Sequence, residues 1–239
     1  MNNASISGAG TIGGGEYGSV KVSGSGHVTD NITCAEFSAS GSCRADGKID
    51  CSGILRASGS FSCGEDLSAG EVHLSGAAKV GGDVRVGDTA KVYGALKAGE
   101  SLHANGAVEI GGAVKLGGDL EADCLSLDGS VTLGGLINAE RMDLCISDES
   151  RAQGLGGTNI SVRAGNGGRK FLFFGSSGGK KQLTVDTVEG DMITLENVIA
   201  KTVRGIHVSI GKGCRIDRVE YSGELVVNDS PEIGERVKL

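Results

Sequence analysis

The sequence predicts an all-β protein: a single-stranded parallel β-helix whose triangular coil of 17–18 residues repeats along one axis. Three observations predict it. A glycine recurs at nearly constant intervals with apolar residues at fixed offsets from it. Those apolar residues alternate with polar ones, as in strands buried on one face. The composition, 43 Gly with one Pro and no Trp in 239 residues, suits short strands joined by tight corners rather than helices or a core built on rings.

The reference glycines are Gly8, Gly24, Gly41, Gly59, Gly76, Gly94, Gly112 and Gly129, at intervals of 16, 17, 18, 17, 18, 18 and 17. Two positions before them stand Ile6, Val22, Ala39, Ala57, Leu74, Val92, Ile110 and Leu127. Four positions after stand Ile12, Val28, Ala45, Cys63, Val80, Ala98, Leu116 and Leu133. From Gly24 onward the eighth position gives Ile32, Ile49, Leu67, Val84, Leu102, Leu120 and Ile137. The tenth gives Cys34, Cys51, Ala69, Val86, Ala104, Ala122 and Ala139. A repeat this short holds neither a helix pair nor a propeller blade, but it divides into three strands of about six residues. Coils stack at about 4.7–4.9 Å each, so eight extend on the order of 35 Å. The segments Gly81-Gly82-Asp83, Gly117-Gly118-Asp119 and Gly134-Gly135 are expected to form one corner, with positive φ. The extra residue of the longer turns is expected at another, between Ile54 and Ala57, because an insertion inside a strand would flip every later side chain.

These repeats span residues 4–144. Residues 145–181 read as irregular: Leu155–Val162 resembles a fragment of one more coil, and Gly165–Lys181 fits none. Over 182–230 the coils resume. Ile193, Leu195, Val198 and Ala200 recur as Cys214, Ile216, Val219 and Tyr221, an offset of 21 that predicts longer corners. Residues 231–239 read as a C-terminal tail.

Several function classes are disfavoured. The net charge is −7 and no basic face is legible, so a nucleic-acid partner is not expected. There is no long apolar run and no signal pattern, which predicts a cytoplasmic protein. Seven Cys without a CxxC pair suit a reducing compartment. Cys34, Cys51, Cys63 and Cys214 occupy inward columns, and Cys43 shares the column of Phe61, Leu96 and Val114, so they read as core fillers rather than a metal site. His27, His73, His103 and His207 fall in different columns, His103 and His207 facing solvent. Glu65, Asp83, Glu100 and Asp119 sit at corners, where a structural role explains them. The Gly-Gly pairs lack the Lys-Ser/Thr of a nucleotide loop. No catalytic residue, cofactor, metal or small-molecule substrate is expected, and the protein reads as a non-enzyme.

One segment stands outside the repeat: Arg169, Lys170, Phe171, Leu172, Phe173 and Phe174, followed by Lys180-Lys181. An apolar tip with basic flanks suits packing onto the solenoid, a protein interface or an anionic membrane surface. The coils themselves, such as Val92-Tyr-Gly-Ala-Leu-Lys-Ala-Gly-Glu-Ser-Leu-His-Ala104 and Leu127-Asp-Gly-Ser-Val-Thr-Leu-Gly-Gly-Leu-Ile-Asn-Ala139, resemble those of the bactofilins, the bacterial polymer-forming cytoskeletal proteins. The resemblance covers residues 4–144 and, less clearly, Ile193–Leu225. It implies a right-handed β-helix that assembles end to end into filaments without nucleotide, as a scaffold at the cell envelope. The chain departs from the family in its longer, interrupted repeat region and in Met1-Asn-Asn leading almost directly into the first coil, so membrane targeting by an N-terminal tail is not carried over.

A β-helix ends in unpaired strand edges and a slice of apolar core. The expected self-association residues are therefore Ile6, Ile12, Tyr17 and Val20 in the first coil and Val219, Tyr221, Leu225 and Val227 in the last. The expected partners are further copies of the chain, with a membrane surface or envelope proteins as attachment sites. The alternatives are a hexapeptide-repeat-type enzyme with a site between subunits and a monomeric β-helical binding module.

Overall fold

The computed structural model describes residues 2–165 and 180–239, and all regular structure among them is β. The chain divides into two compact units, Met1–Ala122 and Asp123–Leu239. Each is a parallel β-solenoid.

In the first unit β1 (Ala4–Ile12), β2 (Gly15–Val28), β3 (Ile32–Ala45), β4 (Ile49–Cys63) and β5 (Leu67–Val80) each run over more than one face. The later coils are split into β6 (Val84–Val86), β7 (Ala90–Ala98), β8 (Leu102–Ala104) and β9 (Ala107–Leu116). Every ladder is parallel, and Gly8, Gly24, Gly41, Gly59, Gly76, Gly94 and Gly112 are aligned in it. The four expected columns are buried within this unit except at Ala122, which is half-buried. Two more inward columns complete three faces of two residues each. One is Val20, Phe37, Leu55, Val72, Ala90 and Val108; the other is Cys43, Phe61, Ala78, Leu96 and Val114. Phe37 and Phe61 meet edge to face, ring centroids 6.0 Å apart.

Two corner expectations are corrected. Positive φ lies in the reference column, for example +104° at Gly59, and not at Gly81, Gly82, Gly117 or Gly118. Gly81 instead lies so close to the Gly64 carbonyl of the preceding coil that no Cβ fits. What shapes that corner is a side-chain ladder. Asp66 Oδ1 accepts from the Asp83 N–H (2.9 Å), Asp83 Oδ1 from the Ser101 N–H (3.0 Å), and Ser101 Oγ from the Asp119 N–H (2.9 Å). The extra residue falls between Cys51 and Ile54, ahead of the expected place, which leaves Ile54 half-buried and turns Leu55 inward.

In the second unit β11 (Leu136–Ile146) pairs with β13 (Gly154–Gly156) and β14 (Asn159–Ala164) at the same 18-residue offset. Residues 145–164 are therefore regular coil, not an irregular segment. β10 (Leu120–Leu133) and β12 (Ser150–Arg151) pair at Thr132 and Arg151. The hydroxyl of Ser150, 1% exposed, accepts from the Val131 N–H and donates to the Asp148 carbonyl, both at 3.1 Å.

β15 (Leu183–Leu195) rejoins the ladder, Ile193 pairing with Ile160, and is followed by β16 (Val198–Ile210) and β17 (Arg215–Val227). Ile193 pairs with Val208, an offset of 15, and Ala200 with Ile216, an offset of 16. The corners are shorter, not longer, and the expected offset of 21 is wrong. Its physical cause is the turn length. Asn197 (φ 55°) closes one corner, while the next takes one more residue and uses Gly213 (φ 70°), so spacing alone matched residues on different faces. Nor is 231–239 a tail: β18 (Glu232–Lys238) pairs parallel with β17 from Arg215 to Tyr221. Among the described residues no helix is long and apolar enough to cross a membrane.

Candidate functional site

The first coil presents β1 as an edge. Its nine residues contain no charge and no proline, the devices that usually blunt an open strand, and it is paired along one side, to β2. Its apolar side chains are largely covered by the chain itself: Ile6 and Ile12 are 7% exposed and Val20 is fully buried. Gly10 and Gly26 explain how. They stand where later coils carry Cys43 and Phe61, and Ile6 leans into the space, its Cγ2 3.3 Å from where a Gly10 Cβ would be. Tyr17 lies in register with Cys34, half-buried, and its hydroxyl donates to the Gly13 carbonyl at 3.0 Å. Asn2 and Asn3 accept from the Gly18 and Ser19 N–H groups, at 2.8 and 3.0 Å. A Cβ on Gly24 would meet the Gly8 oxygen at 2.5 Å, whereas one on Gly8 would meet nothing within 4 Å. The outer side of Gly8 is thus open in the place where every later coil has a neighbour.

At the other end the expected residues divide. Val219 is fully buried under β18, and Tyr221 is half-buried. Leu225 and Val227 are half-buried and Val226 is 39% exposed, although Val208 and Ile210, one coil earlier in the same columns, are buried beneath them. Among the described residues no strand pairs with the outer side of Leu225–Val227. Glu220 lies between Arg204 and Arg218, each Nε 2.7 Å from its carboxylate, and their hydrogen bonds hold its pKa below the ordinary range. The Phe-rich segment, Arg169 to Phe174, lies outside the described residues.

The other chemistry-bearing residues are dispersed. His27 contacts Asp46 (2.7 Å), His103 contacts Glu121 (2.9 Å) and His73 faces Glu71 (3.5 Å), each as a separate surface pair. Cys34, Cys43, Cys51, Cys63 and Cys214 are buried free thiols, and Cys124 and Cys145 are half-buried. Cys34 and Cys51 are neighbours in one column. The hydrogen bond between them eases the first proton off Cys51 and holds the Cys34 proton well above the usual thiol range. Burial pushes Cys43 and Cys63 up to about 11. Among the described residues no group of three or more His, Cys, Asp or Glu could hold a metal ion.

Sequence reasoning missed one feature. Lys79, Lys97 and Lys115 stand in register on consecutive coils, all exposed. A net charge conceals such a row. The signal that finds it is the third position after Gly76, Gly94 and Gly112.

No family model matches the chain, and no solved structure matches it. Among curated proteins it is similar to the uncharacterized protein YhbF of Bacillus subtilis (strain 168), 40% identical over 106 residues, which cover 44% of this chain and 42% of the relative. It is also similar to the uncharacterized protein YhbE of the same organism, 36% identical over 108 residues, 45% of this chain and 44% of the relative. The match thus spans less than half the length of each of these curated relatives.

Proposed function

We propose that the protein is a non-enzymatic, self-associating scaffold of the polymer-forming, bactofilin-like kind, adding copies end to end through its terminal coils and organising partners, with the cell envelope as its place of work. The observation that carries this reading is the β1 edge: nine residues long, uncharged, unbroken by proline and open on its outer side at Gly8. A parallel strand from a second copy fits there by the same hydrogen-bonding that joins β1 to β2. The half-buried Leu225 and Val227 supply the apolar counterpart at the other end. Contacts between two different faces are head to tail, and they build an open filament when the rotation from copy to copy does not close a ring.

The test is sedimentation velocity over a concentration series with negative-stain imaging. Wild-type protein is expected to form elongated species that grow with concentration. Gly8→Val, whose side chain points onto the outer face, and Leu225→Lys are expected to shift the distribution to smaller species while circular dichroism stays that of a β-solenoid. A wild-type protein that sediments as a monomer at every concentration would sink the proposal.

A further inference from the structure

We propose that Lys79, Lys97 and Lys115 form a binding track for a linear phosphate polymer laid along the coils. Lys79 pairs in register with Lys97, and Lys97 with Lys115, so the three side chains rise from one outward column at about 4.7–4.9 Å per coil. The column continues backwards through Ser62 to Arg44 and His27. There the charge is answered: Asp46 takes Arg44 at 2.8 Å and His27 at 2.7 Å. Along the three lysines it is not, since no carboxylate lies within ion-pair distance of any of them among the described residues.

Several other cations on the solenoid faces are interleaved with acids. Arg85 sits between Asp66 and Asp83, Lys91 faces Glu109 on the next coil, and Glu189, Arg204 and Glu220 alternate down one column. Three like charges stacked on adjacent coils repel one another, and an anion shared by all three removes that repulsion. The flanks leave the approach clear. Two residues before each lysine stand Ala77, Ala95 and Ala113, and two residues after stand Gly81, Gly99 and Gly117. The row therefore rises from a strip of the smallest side chains, one residue wide and parallel to the coil axis.

That shape selects the ligand. A single file of charges matches a single extended chain. A bilayer surface would call for basic or large apolar side chains in the neighbouring columns as well, and those hold only Ala and Gly beside the three lysines. The ammonium groups bind phosphate as point charges without a fixed fork geometry. No aromatic side chain stands in these columns beside the three lysines to stack a base, so a plain phosphate polymer is favoured over nucleic acid. The net charge of −7 repels polyanions from the molecule as a whole, which makes the row the place where attraction exceeds repulsion.

The test is fluorescence anisotropy with end-labelled inorganic polyphosphate and the full chain, over a salt series. Wild-type protein is expected to bind at low salt. The triple variant Lys79→Ser, Lys97→Ser, Lys115→Ser is expected to bind roughly tenfold or more weakly, with the slope of log affinity against log salt shallower by about 2. A second triple, Lys21→Ser, Lys48→Ser, Lys238→Ser, removes the same charge from scattered exposed positions and is expected to bind like wild type. Equal loss in both triples, or no loss in the first, overturns the proposal. So does tighter, row-dependent binding of single-stranded DNA, or row-dependent recruitment to phosphatidylglycerol vesicles without polyphosphate binding.

Discussion

Replacing Gly59 by Ala should destabilise the protein far more than replacing Gly8 by Ala, although both glycines stand in one column with nearly the same backbone. Their φ values are +104° and +101°, so a methyl group strains either backbone to a similar degree, by about 1–2 kcal/mol. The surroundings differ. A Cβ on Gly59 would lie 3.1 Å from the carbonyl carbon of Gly41 and closer still to its oxygen, while one on Gly8 meets nothing within 4 Å. Clearing that contact means parting two coils locally, at the expense of roughly two backbone hydrogen bonds worth about 1 kcal/mol each. The expected losses are therefore about 3–4 kcal/mol for Gly59→Ala and about 1–2 kcal/mol for Gly8→Ala. Urea titrations followed by circular dichroism, on samples dilute enough to be monomeric, measure both. A difference of less than about 1 kcal/mol between the two variants would refute the claim that coil spacing at this corner is set by the absent Cβ.

Further outcomes follow from the core and the ion pairs. Phe61→Ala should lose about 3–5 kcal/mol in the same titration, since the ring is 3% exposed, and a cycle with Phe37→Ala should show about 0.5–1.5 kcal/mol of coupling. Mass spectrometry after brief alkylation of the folded protein should find Cys124 and Cys145 modified first, with the five buried thiols reacting on unfolding; early labelling of Cys34 or Cys51 would contradict their burial. The Glu220 carboxyl is held low by Arg204 and Arg218, so its contribution to stability is present above the ordinary carboxylate range and is lost as pH falls through the lowered value. Glu220→Gln should accordingly lower the thermal midpoint at neutral pH and cease to differ from wild type in strong acid. A gap that persists there would assign the effect to packing.

The solenoid was legible because its columns are chemically simple. Ile32, Ile49, Leu67 and Val84 share one offset from the reference glycines, and each is buried. The column through Val20, Phe37, Leu55 and Val72 escaped notice because the extra residue was placed after Ile54, which hid Leu55 as the inward side chain. In the second unit the limit was corner length. One additional residue before Cys214 is invisible to spacing, but it decides which face Cys214 and Ile216 join. The lysine row was missed for a different reason: net charge sums over the surface, whereas a repeat sorts residues into lines. The open edges were expected. What no pattern of apolar residues showed is that Gly10 and Gly26 narrow the first coil enough for Ile6 to cover it.

The varying coil length has a consequence for growth at either edge. Adjacent coils share a ladder when their faces agree in register, and any extra residues, each about 3.3 Å of chain, must leave between the strands. The described offsets run from 18 at Leu136 to 15 at Ile193, then 16 at Ala200 and 17 at Arg215, with one of 33 where Ile160 pairs with Ile193. Each terminal coil is therefore a template for faces rather than a gauge of girth. An incoming strand with suitable hydrogen bonds can pair even when its circuit is many residues longer, as β15 does with β12, β13 and β14, provided the excess lies between strands. The offsets at the two edges, 16 between β1 and β2 and 17 between β17 and β18, leave a size mismatch of one residue. A difference of that size is smaller than what the ladders of the second unit already accommodate.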